Sequence, residues 1–241
     1  FNAKVRSASL FISGSGRSLY DHIRSGTSWG LDNLSGGGVF THSQVRLKSQ
    51  KIDEDGYEEY YDDHEQFIKM AKSEYVLLLG SSILANLQID SMLNFHKDEN
   101  ADITVAYKKL IRTELKEETI FSTYSFEERS NPTVSDVTPL RDLPYDDTPI
   151  NFGLDVLLAK TDIFLDYLAR LKAESKLVSV NNILALAVHD DVKISGYEYT
   201  GYLKAIEDIK SYFEANMDML DEDNFNLALN AIKLRFTSKI Y

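Results

Sequence analysis

The sequence predicts an α/β protein with a Rossmann-like, mostly parallel sheet flanked by helices. Three observations lead there. Strand-like and helix-like patterns alternate along the whole chain. Glu74–Tyr107 (EYVLLLGSSILANLQIDSMLNFHKDENADITVAY) reads as strand, turn, helix and strand, a crossover of the length that joins parallel strands. Tyr75–Leu79 is an unbroken apolar run closed by Gly80, the pattern of a strand covered on both faces.

In chain order, Val5–Ile12 predicts a strand that ends in Ser13-Gly14-Ser15-Gly16, and Ser18–Arg24 a short helix closed at Gly26. Gly14 and Gly16 lack both the Walker lysine and the third glycine of a dinucleotide fingerprint, so a turn is favoured over a phosphate cradle. Trp29–Gly38 is a loop by its glycine run, and Val39–Val45 an edge strand. Lys51–His64 is acidic and tyrosine-rich. Asp53 and Asp55 fall on calcium-loop positions, but Lys51 would be the first ligand and Asp62 the closing one, so the match fails. A solvated loop is expected there, followed by a helix to Lys72 with Phe67, Ile68 and Ala71 inward.

After Gly80, Ile89, Met92, Leu93 and His96 recur at helical spacing, with Lys97, Asp98 and Glu99 outward. His96 reads as a packed histidine, and Asp21 and His22 as helix-surface residues. Asp102–Tyr107 and Thr119–Phe126 are strands. Glu127–Pro149 holds all four prolines and predicts an extended excursion. Ile150–Leu158 is a strand; Ile163, Phe164, Tyr167, Leu168 and Leu171 form a helical stripe; Ser179 caps a helix to Val188; Val192–Tyr199 is a strand. Ile206, Ile209, Phe213, Met217 and Leu220 predict a long amphipathic helix.

The composition bounds the function. A 43% hydrophobic and 27% charged chain of 241 residues is ordinary for a globular protein. A formal charge of −12 argues against nucleic acid or an anionic membrane as partner. With no cysteine there is neither a disulfide framework nor a thiolate metal site. No apolar run reaches the ~18–20 residues of a membrane helix, and the expected compartment is the cytoplasm. The chain opens Phe1-Asn2-Ala3-Lys4 without an initiator methionine and already leads into a strand, so it reads as part of a longer protein.

Three stretches carry a resemblance covering most of the chain: Ser18–Asp32 (SLYDHIRSGTSWGLD), Glu74–Lys109, and Glu198–Leu220 (EYTGYLKAIEDIKSYFEANMDML). Together they resemble bacterial glucose-1-phosphate adenylyltransferase. The resemblance implies condensation of glucose 1-phosphate with ATP to ADP-glucose and pyrophosphate, with magnesium held by two aspartates. Neither aspartate is present. Where the family reads Ser-Gly-Asp-His, this chain reads Leu79-Gly80-Ser81-Ser82, and where it reads Tyr-Trp-Lys/Arg-Asp, Tyr202-Leu203-Lys204-Ala205. Ser81 and Ala205 bring no charge to offset a dication. Asp208, three residues past Ala205, does not take over its place. The family's Glu-Lys-Pro is absent too; Glu128-Arg129 near Pro132 is no like-for-like replacement.

The resemblance therefore implies residues 1–225 as a nucleotidyltransferase-like domain without its first glycine-rich segment, and 226–241 as a connection towards a β-helix domain. The expected role is that of the GlgD-type regulatory subunit, paired in a hetero-oligomer with a catalytic adenylyltransferase subunit whose activity it raises. No catalytic residue, metal ligand or cofactor is expected in this subunit, magnesium belonging to the catalytic partner. A vestigial pocket is expected at Trp29, Gly80, Ser82 and Tyr202, with a sugar nucleotide or phosphorylated effector as its candidate occupant; for Trp29 and Tyr202, ordinary core stands equally open. Two other readings stay beside this one: a sugar-nucleotide sensor, and an active sugar-1-phosphate nucleotidyltransferase.

Overall fold

The computed structural model describes residues 5, 7–12, 17–23, 38–44, 47–48, 51–52, 57–127 and 132–229. The Ser13–Gly16 turn, Gly26, Trp29, Asp53, Asp55, Arg129 and residues 230–241 lie outside them. The described residues of Phe1–Leu77 and Leu158–Asp191 form one compact unit, and those of Leu78–Leu157 and Val192–Tyr241 a second.

Strands β1 (Ser7–Ile12) and β2 (Gly38–Ser43) pair in parallel from Ser7↔Gly38 to Ile12↔Ser43, with helix α1 (Arg17–Ile23) between them in the chain. Asp21 and His22 are exposed on α1, as a surface role requires. The two-residue strands β3 (Leu47–Lys48) and β4 (Lys51–Ile52) make a short antiparallel pair. Helix α2 (Tyr57–Ala71) starts inside the acidic stretch that composition assigns to a loop. Glu58 and Glu59 fall in its first turn, where the helix dipole favours carboxylates, so from Tyr57 on the acidic run is a helix start. Its buried face is Tyr60, Tyr61, His64 and Ile68. The His64 ring lies flat on Phe11 of β1, centroids 3.6 Å apart, and neutral His64 donates from Nδ1 to the Tyr60 carbonyl at 2.7 Å.

The Rossmann-like, mostly parallel sheet is not what forms. Strands β5 (Tyr75–Leu79), β7 (Ile103–Ile111), β8 (Ser122–Glu127), β9 (Thr133–Pro139), β10 (Pro149–Lys160) and β11 (Ile194–Glu198) order as β5-β10-β7-β11-β9-β8, and β10 also pairs with β8. Five strands thus close into a mixed barrel. β7 and β11 are parallel, whereas β8–β9, β9–β11 and β8–β10 are antiparallel. The Gly80 amide donates to the Asp155 carbonyl (2.8 Å) and the Thr161 amide to the Glu74 carbonyl (3.0 Å), so β5 and β10 run antiparallel. Two features drive the closure. The twelve-residue β10 inserts between β5 and β7, which the crossover reading made neighbours. The proline-rich excursion contains β9, folded back on β8 from Ser122↔Pro139 to Glu127↔Thr133.

Helix α3 (Ile89–Asp98) packs on β7 and β11, burying Met92 and His96. His96 Nδ1 lies 2.8 Å from Thr104 Oγ1, the packed histidine expected from its spacing. Phe152 of β10 is fully buried, edge-on to Phe121 at 5.1 Å, in a core that includes Ile103, Val105, Leu154 and Ile194. Past β7, buried Arg112 donates to the carbonyls of Lys116 (2.8 Å) and Glu117 (2.7 Å), fastening the loop that follows.

Helix α4 (Thr161–Ala173) buries Phe164, Tyr167, Leu168 and Leu171, the stripe its periodicity predicts. Helix α5 (Val180–Ala187) is capped as predicted: Ser179 Oγ accepts from the Asn182 amide at 3.2 Å. The Tyr61 hydroxyl donates to the Lys176 carbonyl (2.7 Å), and the Tyr60 hydroxyl accepts from the Val178 amide (2.8 Å), so α2 holds the α4–α5 connection. Strands β6 (Ile83–Ala85) and β12 (Leu203–Ala205) form a separate antiparallel pair. Helix α6 (Ile209–Asp218) begins three residues later than the predicted long helix, because β12 occupies the chain up to Ala205, and α7 (Glu222–Leu229) follows.

Candidate functional site

The two positions singled out by the sequence, Ser81 and Ala205, lie far apart in the chain, and strand pairing brings Ala205 to the segment that begins two residues past Ser81. Ile83 of β6 stands opposite Ala205 of β12. The Ile206 amide donates to the Ser82 carbonyl at 2.8 Å, carrying the pairing one residue further towards Ser81. Ser81 is exposed at the bend after β5, while Ser82 and Ala205 are half-buried. The side chains at this junction are thus a hydroxyl and a methyl group.

Around β12, the polar groups are committed to holding the backbone. The Tyr202 hydroxyl donates to Asp218 at 2.9 Å, and burial, reinforced by that carboxylate, raises its pKa well above the usual phenol value. The Tyr199 hydroxyl donates to the Tyr202 carbonyl (2.7 Å) and accepts from the Asn86 amide (3.0 Å). Gly201 is required beside it, since a Cβ there would stand 2.5 Å from the Tyr199 hydroxyl. Lys204 Nζ lies 3.4 Å from both Glu214 and Asp218 of α6. Asp208, the carboxylate nearest Ala205 in sequence, caps α6 by accepting from the Ser211 amide at 2.7 Å and is ion-paired to Lys116. The lysine above all holds its carboxyl far below the usual range.

One carboxylate escaped the sequence reading. Asp155 sits in the middle of β10 with left-handed backbone (φ 53°), half-buried, its side chain laid against Gly80. Burial raises its pKa. The signal was available: it is an acid inside the otherwise apolar run NFGLDVLLA. A non-glycine residue held left-handed next to a candidate site is an observation from which function is argued. Of the remaining expected pocket residues, Gly80 and Ser82 belong to this junction, Tyr202 is tied to α6, and Trp29 lies outside the described residues.

A magnesium site of the family's kind needs ionised oxygen ligands. Ser81 and Ala205 cannot supply them, Asp208 is engaged by Lys116, and Asp155 is a single carboxylate. Among the described residues no three His, Asp or Glu side chains converge as a metal site would require. The residues present do not fit that ion. Nor, among the described residues, is any helix long and apolar enough to cross a membrane.

Comparison with known proteins finds similarity to glucose-1-phosphate adenylyltransferases. No family model matches the sequence. The chain is 26% identical over 218 residues to the glucose-1-phosphate adenylyltransferase of Fusobacterium nucleatum, covering 86% of this chain and 53% of that protein. It is 27% identical over 210 residues to that of Clostridium kluyveri (86% and 52%), and 27% over 216 residues to that of Halalkalibacterium halodurans (88% and 53%). These similarities support the glucose-1-phosphate adenylyltransferase family. The chain spans about half the length of the curated relatives it matches.

Proposed function

We propose that this chain belongs to a non-catalytic, cytoplasmic regulatory subunit of glucose-1-phosphate adenylyltransferase in glycogen biosynthesis. It acts by raising the activity of a catalytic partner that makes ADP-glucose from ATP and glucose 1-phosphate. One observation carries the reading: neither position matched to the family's metal aspartates, Ser81 or Ala205, holds a carboxylate, and Ala205 stands opposite Ile83, two residues past Ser81, in the β6–β12 pair. The in-line attack of a sugar phosphate on ATP develops negative charge that metal and cationic groups must offset, and a serine and an alanine contribute nothing to that.

The direct test of the non-catalytic half is a pyrophosphate-release assay on the full-length protein alone, with ATP, glucose 1-phosphate and magnesium. The expected rate is the buffer background. Magnesium-dependent turnover that survives in Ser81→Ala but is lost in Asp155→Asn would overturn the reading and favour an active nucleotidyltransferase with a relocated carboxylate.

A further inference from the structure

Helix α6 is amphipathic with its faces reversed. Ser211 and Ala215, each 2% exposed, point into the protein, while Ile209 is 87% and Phe213 62% exposed; Leu220, 76% exposed, follows in the turn after the helix. Exposed Tyr212 and Met217 complete the outer face. At 3.6 residues per turn Ile209, Tyr212, Phe213 and Met217 fall in one stripe about 140° wide. Single exposed apolar residues are ordinary, but a contiguous stripe of large ones marks an interaction surface.

Charge decides what fits it. Exposed Lys210 stands at the amino end of α6, 3.9 Å from Glu214; from Ser211 to Ile232 there is no further lysine or arginine, whereas Glu214, Asp218, Asp221, Glu222 and Asp223 all fall in that span. Lys204 lies near the first two; the last three are exposed at the carboxyl end of the stripe. A second copy of this chain would bring a net −12 against another −12, which opposes self-pairing.

We propose that the outer face of α6 docks a different protein, one presenting an apolar surface framed by lysine and arginine. Resting on the regulatory reading above, that protein is the catalytic adenylyltransferase subunit. Phe213 is the aromatic anchor near the centre of the stripe, Tyr212 lies at its edge, and the acidic end sets orientation.

The test is size-exclusion chromatography and titration of the full-length protein with the catalytic glucose-1-phosphate adenylyltransferase of the same organism. It uses native protein, the double variant Ile209→Ser/Phe213→Ser, and Met70→Ser as an exposed control on α2. The expected result is a complex with native and control protein that weakens as salt rises, and an affinity loss of more than about 30-fold in the double variant, the scale of a lost aromatic anchor. Equal binding by the double variant overturns the docking surface and leaves the regulatory reading standing. No complex with native protein removes the regulatory reading, and this partner with it. A native dimer made monomeric by the double substitution assigns the face to a second copy instead. A fall of about 5 °C or more in the variant's melting temperature without partner means the chain's own further residues cover the face, which also overturns the proposal.

Discussion

Gly80→Ala destabilises the fold by about 2 kcal/mol, the scale of overpacking at a site that cannot relax. A Cβ on Gly80 would lie 1.6 Å from Asp155 Oδ2, 2.4 Å from its Cγ and 2.9 Å from its Cβ. The last distance matters most, because rotating the carboxylate away does not move Cβ. Asp155 cannot retreat freely either: its carbonyl accepts from the Gly80 amide at 2.8 Å, and its backbone is held left-handed. The second substitution makes the argument specific. Asp155→Gly removes the obstructing side chain and suits φ 53°. The double variant Gly80→Ala/Asp155→Gly should therefore recover most of the loss, a coupling of about 2 kcal/mol in urea-denaturation cycles. Additive losses would mean that Gly80 is needed for its own backbone conformation rather than for the room it leaves to Asp155.

The second large effect is on acid stability, through His64. Burial between α2 and β1 lowers its pKa from about 6.5 to about 4, against the opposing pull of the Tyr60 carbonyl and the nearby Asp63 carboxylate; His42 pushes it down slightly further. The sign follows from the depressed value. In the unfolded chain His64 takes up a proton below about pH 6.5, while in the folded chain it stays neutral down to about pH 4. The neutral ring's contribution is fully present above pH 6.5 and is lost as pH falls towards 4, amounting to about 2 kcal/mol by pH 5. His64→Gln, which cannot titrate, should flatten the pH 7 to 5 segment of the stability curve even if it lowers the whole curve. An unchanged slope would show that His64 charges without cost, and that its flat stack on Phe11 admits water.

These two sites also show what the sequence could and could not disclose. Local patterns read well where one signal sufficed: the α4 stripe, the Ser179 cap, the buried His96 and the β1–α1–β2 unit follow from spacing and capping chemistry. The sheet did not, because pairing is non-local. Nothing in Tyr75–Leu79 or Asp102–Tyr107 says that β10 will lie between them, or that Phe152 will reach Thr123 and close a barrel. Prolines misled for a physical reason. Pro139 and Pro149 occupy the last position of β9 and the first of β10, where a missing amide hydrogen is tolerated, so they bound strands rather than forbid them. Periodicity identified α6 as amphipathic but could not say which face would meet the core, and Ser211 and Ala215 took that place. At the candidate site, Ser81 and Ala205 were legible only by resemblance; the pairing of β12 with the segment just past Ser81 needed the structure, as did the contact of Asp155 with Gly80.

On the proposed reading, a scaffold similar to an adenylyltransferase, with hydroxyl and methyl groups at the matched metal positions, acts through a partner. The deciding measurement is ADP-glucose synthesis by the catalytic glucose-1-phosphate adenylyltransferase of the same organism, titrated with the full-length protein at fixed ATP, glucose 1-phosphate and magnesium. The account predicts a saturable rise in rate that persists when the added protein carries Ser81→Ala, since that position performs no chemistry. A rate that stays flat through the titration, or a rise abolished by Ser81→Ala, would contradict it.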